Sequence, residues 1–105
     1  MAIAGLRNQD RLDGASNYVI WKVRMSFLLY EYALKTHIDN VVAIPHDANQ
    51  LKEYRKEMAR AKRLILDGVW DHIVSHVVEK GMAKEMWDAL SELFHSSSEQ
   101  QMMFL

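Results

Sequence analysis

The chain contains no cysteine and only one proline, Pro45. Without thiols it can build no disulfide framework, cysteine nucleophile or cysteine-ligated zinc site, a usage that fits a reducing, cytoplasmic compartment. No apolar run approaches the roughly twenty residues that cross a bilayer. The opening Met-Ala-Ile-Ala-Gly-Leu-Arg is too short in apolar residues for a signal peptide, so neither membrane nor secretion is expected. Excess charge is missing too: 13 Lys and Arg against 14 Asp and Glu leave a formal net charge of −1, which offers nucleic acid no general attraction. The sequence has no Gly-x-Ser-x-Gly elbow, phosphate loop or dinucleotide fingerprint. No nucleophile, base and orienting partner assemble with motif support. No enzyme activity and no cofactor are therefore expected.

What is present is apolar and helical. Half of the 105 residues are hydrophobic and about a quarter are charged, as expected for one small globular domain spanning 1–105. Its core is expected over about 11–95. Residues 96–105 read as the start of a truncated linker or next helix, because an end at Met102-Met103-Phe104-Leu105 looks like a cut chain. Seven methionines suit adaptable cores or contact surfaces. No strand alternation is convincing, so the expected fold is all-α, a compact bundle of four to five helices.

The periodicity predicts a first helix from about Asn17 to Lys35 or a little beyond, then a connecting loop from Thr36 through Ala48. A second helix, capped by Asp47 or Asn49, carries Leu51, Tyr54, Met58, Ala61, Ile65 and Val69. Asp67-Gly68 either ends or bends it. Trp70, Ile73, Val74, Val77 and Val78 form a further apolar segment that Gly81 is placed to stop. A final helix through Ala83, Met86, Trp87, Leu90, Leu93 and Phe94 is expected to reach the serine run Ser96–Ser98.

The segment from Leu12 to Trp21 joins a turn, a helix start and an aromatic anchor. Asp13-Gly14 signals a turn in which glycine supplies a positive φ, and Ser16 or Asn17 can cap the following helix. Tyr18 and Trp21 then open an apolar stripe, with Trp21 expected in the core. Some seventy residues on, Ala83-Lys84-Glu85-Met86-Trp87-Asp88-Ala89-Leu90 forms an Ala-x-Glu-x-Trp-x-x-Leu pattern followed by Phe94. Together, Leu12, Asp13, Gly14, Asn17, Tyr18 and Trp21 with Ala83, Glu85, Trp87 and Leu90 resemble the Gag capsid protein of copia-type LTR retrotransposons, over about residues 11 to 105. Gly81-Met82 departs from the pattern, which often has a capping Thr or Ser there, so glycine or the backbone is expected to cap that helix. The resemblance implies a retroviral-capsid-like amino-terminal domain. Its function would be structural: self-assembly into virus-like particles around element RNA. Such Gag proteins usually continue into a second helical domain and often a zinc knuckle, so RNA is expected to be held mainly through regions absent from this chain. The alternatives are a domesticated Gag-derived interaction module or an RNA-binding helical domain.

Three surfaces are candidates for work. In the first helix, Tyr18, Trp21, Met25, Leu28 and Tyr32 form one apolar stripe, while Ile20, Val23, Phe27, Tyr30 and Leu34 form another nearly opposite. Either this helix is central and both stripes are buried, or one stripe is exposed and marks a contact with another subunit. Ile20, Val23, Phe27 and Tyr30 are the candidate self-association residues. Lys52, Arg55, Lys56, Arg60, Lys62 and Arg63 are the candidate RNA contact, but Glu53 and Glu57 interrupt them and no aromatic residues interleave for base stacking. His72 and His76 stand four apart as two metal ligands would on a helix. They lack the glutamate of a His-Glu-x-x-His motif and an obvious third ligand, so no metal is expected.

Overall fold

In the computed structural model the described residues are 5–103 for the backbone and 5–94 for the side chains. The Met102–Leu105 run lies outside the described side chains. Five helices follow in order: α1 (Tyr18–Glu31), α2 (Thr36–Asp39), α3 (Ala48–Asp67), α4 (Asp71–Val74) and α5 (Ala83–Met103). Two short 3-10 turns, Asn8–Asp10 and Ala15–Asn17, precede α1. The described residues form no strand, only an isolated parallel bridge between Leu12 and Val69. The all-helical expectation is met.

α5 is the element the others gather around, packing on α1, α2 and α3. Its buried Ala83, Met86, Trp87 and Leu90 meet Trp21 and Met25 from α1, Ile38 from α2, and Met58, Ala61, Leu64 and Ile65 from α3 in one apolar cluster. Two polar details fix its start. Glu85, at the third helical position, accepts a hydrogen bond from the Met82 N–H at 3.0 Å. The free N–H of Ala83 donates to the thioether sulfur of Met58 at 3.2 Å. The cap therefore comes from a side chain inside the helix, the acidic half of a capping box, rather than from Gly81 or the backbone. α5 also runs through Ser96–Ser98 instead of stopping there. Serine is only a mild helix breaker, and neither glycine nor proline stands in that stretch to end the hydrogen-bond ladder.

The first helix is shorter than its periodicity suggests. It ends at Glu31, with Tyr32 as the C-cap. The next residue, Ala33, has φ 59°. The Leu34 N–H bonds to the Leu29 carbonyl at 2.7 Å, and the Ala33 N–H bonds to the Tyr30 carbonyl at 3.0 Å. This is a Schellman motif, in which a left-handed residue reverses the chain and the following apolar residue folds back on the last turn. Leu34 is thereby buried and leaves the outer stripe to which its spacing assigned it. The inner stripe is Tyr18, Trp21, Met25 and Leu29, with Leu28 and Tyr32 only half-buried.

The reversal also puts a helical turn where a loop was expected. α2 buries His37 and Ile38, and only residues 40–47 form a connection. Asp47 caps α3, its carboxylate accepting from the N–H groups of Asn49 and Gln50 at 3.1 and 3.0 Å. Asp67-Gly68 ends α3 outright. An added Cβ at Gly68 would collide with the Met25 methyl and lie 3.1 Å from the Leu64 carbonyl oxygen, so this corner accepts only glycine without rearrangement.

Candidate functional site

The inner face of α1 is anchored from several directions. The Gly68 carbonyl accepts two hydrogen bonds, from the Leu12 N–H at 2.9 Å and from the Trp21 indole N–H at 2.7 Å. Trp21 in turn lies 5.5 Å from Trp87 between ring centroids, so the two halves of the sequence signature pack on each other. Tyr18 stacks on Trp21 and tilts against Phe94, and its hydroxyl lies 3.0 Å from that of Ser91. Burial raises the Tyr18 phenol above its ordinary range, and the Ser91 hydrogen bond offsets part of that rise.

Asn17 does not cap α1 through its side chain, as its position suggested. Its amide oxygen turns back to accept the N–H groups of Asp13 and Gly14 at 3.0 and 3.3 Å, while its amide nitrogen donates to the Arg11 carbonyl at 2.8 Å. The Asp13-Gly14 turn needs no left-handed residue, because Gly14 is extended at φ 171° with open space where a Cβ would stand. The loop is held by Asn17 instead. Asp10 closes it from the other side, accepting from Arg7 at 3.2 Å and from Arg24 of α1 at 2.9 Å.

With α5 central, α1 lies at the edge of the bundle and its second stripe faces solvent. Phe27 and Tyr30 are each 71% exposed, Ile20 is 59% and Val23 is 52%. Val19 joins them at 55% and was missed in the sequence because it lies one step off the stripe's axis. A hollow of about 210 Å³ lies beside this face, lined by Ser26, Phe27, Tyr30 and Lys35. A helix apolar all round is ordinarily buried all round, so α1 has the composition of a buried helix in an exposed position. Burying one such large side chain contributes roughly 1.5–3 kcal/mol, so five together form a substantial exposed apolar surface.

The basic group divides differently. Lys52, Arg55, Lys56, Arg60 and Arg63 are exposed along α3, and Lys62 is half-buried. Lys56 stands 3.9 Å from Glu53 and Arg63 3.5 Å from Asp67. The nearest aromatic on the helix, Tyr54, turns inward against His37. This face can attract a polyanion but offers no stacking platform.

His72 and His76 do not share a helix. α4 ends at Val74, and the His72 Nε2 lies 2.8 Å from the Asp13 carbonyl oxygen, tying α4 to the opening loop. His76 follows on exposed turns, and among the described residues no group of three His, Asp or Glu could hold a metal ion. Sequence inspection missed His37 altogether. It is 4% exposed, its Nε2 3.3 Å from a Glu57 carboxylate oxygen while its Nδ1 has no partner among the described residues. A histidine in an expected loop carried no signal of burial.

No family model, curated protein or solved structure matches this chain. No helix among the described residues is long and apolar enough to cross a membrane.

Proposed function

We propose that this chain is a self-assembling structural subunit, the capsid domain of a copia-like retrotransposon Gag that forms virus-like particles around element RNA inside the cell. The observation that carries this reading is the solvent-facing stripe of α1, where Ile20, Val23, Phe27 and Tyr30 stand exposed on a helix whose opposite face is locked into the core. The resemblance supplies the family, and the Trp21–Trp87 contact gives its two motifs a shared structural purpose: they build the rigid wall behind that stripe.

The logic of a shell suits such a surface. Each contact can be weak, because neighbouring contacts in a closed array reinforce one another. RNA is then held chiefly by regions outside this chain, with the α3 cations adding a salt-sensitive attraction.

The test is direct. The chain is concentrated and examined by light scattering and negative-stain electron microscopy beside a Phe27→Asp/Tyr30→Ser variant. Concentration-dependent association or particles in the parent, lost in a variant of unchanged helicity, supports the reading. Identical oligomer size in both refutes it, and a tight heterologous partner without self-association would favour an interaction module instead.

A further inference from the structure

The exposed stripe of α1 has charged residues on one of its edges, and their arrangement is self-complementary. Arg24 and Glu31 are seven residues apart, so they lie two turns and about 10.5 Å apart along the same edge. They are too far apart to pair within one helix. Arg24 is half-exposed, and one of its guanidinium nitrogens holds Asp10 at 2.9 Å, which fixes the group at the stripe's margin with N–H donors to spare beyond that pair among the described residues. Glu31 is exposed and makes no ion pair among the described residues. Between them, near the midpoint, stands Phe27, 71% exposed.

We propose that two copies of this chain pair through α1 as an antiparallel two-fold dimer whose axis passes beside Phe27. This rests on the self-assembly reading above and specifies its geometry. A two-fold axis crossing the helix at its 27–28 midpoint maps position 24 onto 31 and leaves the lateral edge unchanged. Arg24 of each copy therefore faces Glu31 of the partner subunit, giving two symmetric ion pairs along one side of a shared apolar seam. The two Phe27 rings meet near the axis, Val23 lies against the last turn of the opposite helix, and Ile20 reaches the partner's Ala33–Lys35 corner. A parallel pairing instead brings Arg24 toward Lys22 of the partner subunit, setting like charges together. Charge complementarity thus selects both the occupant, a second copy, and its direction.

The seam is small. A helix of 14 residues is about 21 Å long, and a strip one helix wide falls short of the roughly 800 Å² per partner of a standard stable interface. The dimer is accordingly weak and concentration-dependent, as a unit of a larger array should be.

Sedimentation of the whole chain over a concentration series tests this. The parent dimerises, and Arg24→Glu and Glu31→Arg each place two like-charge contacts in the homodimer and weaken it on the order of tenfold or more. Mixing the two single variants restores dimerisation as a heterodimer. The glutamate introduced at position 24 of one copy then faces the arginine introduced at position 31 of the other, and the unaltered Glu31 and Arg24 face each other at the second contact. The double variant R24E/E31R restores it alone. Circular dichroism monitors the fold. If repulsion from Asp10 lowers the helicity of R24E, the D10N/R24E variant replaces it. Should Phe27→Asp abolish association while the charge variants and their mixture behave like the parent, the two-fold register is wrong although the α1 face still self-associates. A chain that stays monomeric at every concentration, or whose association is indifferent to Phe27→Asp, overturns both this geometry and the self-assembly reading.

Discussion

Replacing Ala33 with glycine should make the protein more stable, against the usual cost of glycine in a folded chain. Ala33 is the only described non-glycine residue with a positive φ, at 59°, and it fills the position of a Schellman motif that glycine ordinarily occupies. The left-handed conformation costs an L-residue roughly 1–2 kcal/mol through the approach of Cβ to the following carbonyl. Glycine removes that cost but adds roughly 0.5–1 kcal/mol of unfolded-state entropy. The net is a gain of roughly 0–1.5 kcal/mol. Because Ala33 is exposed, losing its methyl forfeits little packing, and the two hydrogen bonds that close the motif involve backbone atoms only.

Urea unfolding followed by circular dichroism reads the change as a shift of midpoint at constant slope. For a chain of this size the gain corresponds to a rise of a few degrees in Tm. Ala33→Val provides the opposite sign: a β-branched side chain tolerates positive φ least, so it should lose about 1 kcal/mol or more. The order Gly, Ala, Val from most to least stable is the signature. If Ala33→Gly is neutral or destabilising while Ala33→Val is tolerated, residue 33 is not left-handed in solution, and the termination of α1 at Glu31 is wrong.

Three further outcomes follow from the packing. Gly68→Ala should destabilise by about 1–3 kcal/mol through overpacking of the added Cβ against the Met25 methyl, and Met25→Ala should cost less in that background than alone; an additive double-mutant cycle would show that the two sites do not touch. Asp47→Ala should cost about 1 kcal/mol in thermal unfolding, since its carboxylate serves two N–H groups of the first turn of α3, and an unchanged Tm would remove it as the cap. Tyr18 ionises above its unfolded value because burial disfavours the phenolate, so its contribution is fully present below about pH 10 and is lost as pH rises through the folded-state value. A Tyr18→Phe variant should lack that alkaline loss, and an unaltered alkaline unfolding profile would contradict it.

Much of this molecule is legible in residue spacing because its strongest determinants are local. Asp47, one of two candidate caps before an apolar-periodic run, starts α3, and Asp67-Gly68, which the spacing allows either to end or to bend that helix, ends it. Determinants carried by backbone conformation, and by side chains that turn back on a loop, were not legible. Leu34 joins the core only because Ala33 takes a left-handed turn that nothing in an alanine announces. Gly14 reads as a positive-φ turn yet is extended, since Asn17 reaches back to hold the loop and relieves glycine of that role. Whether α1 is central or peripheral was undecidable from its two apolar stripes. That choice belongs to α5, which packs on three other helices and leaves α1 at the margin.

The contrast between α1 and α3 bears on the proposal that the exposed stripe is a surface for contact. On α3 the solvent side carries Lys52, Arg55, Lys56, Arg60 and Arg63, and its buried side carries Met58, Ala61, Leu64 and Ile65, the pattern of a helix meant to face water. The same chain therefore solvates an outer helix face with charged side chains. On α1 it places Val19, Ile20, Val23, Phe27 and Tyr30 in water, although none of them supports the core behind. Polar residues there would leave Tyr18, Trp21, Met25 and Leu29 packed as they are, so folding alone does not account for the stripe. An exposed apolar face on a helix so firmly anchored costs solubility in the isolated chain, and under the proposed self-association a neighbouring subunit covering it would recover that free energy.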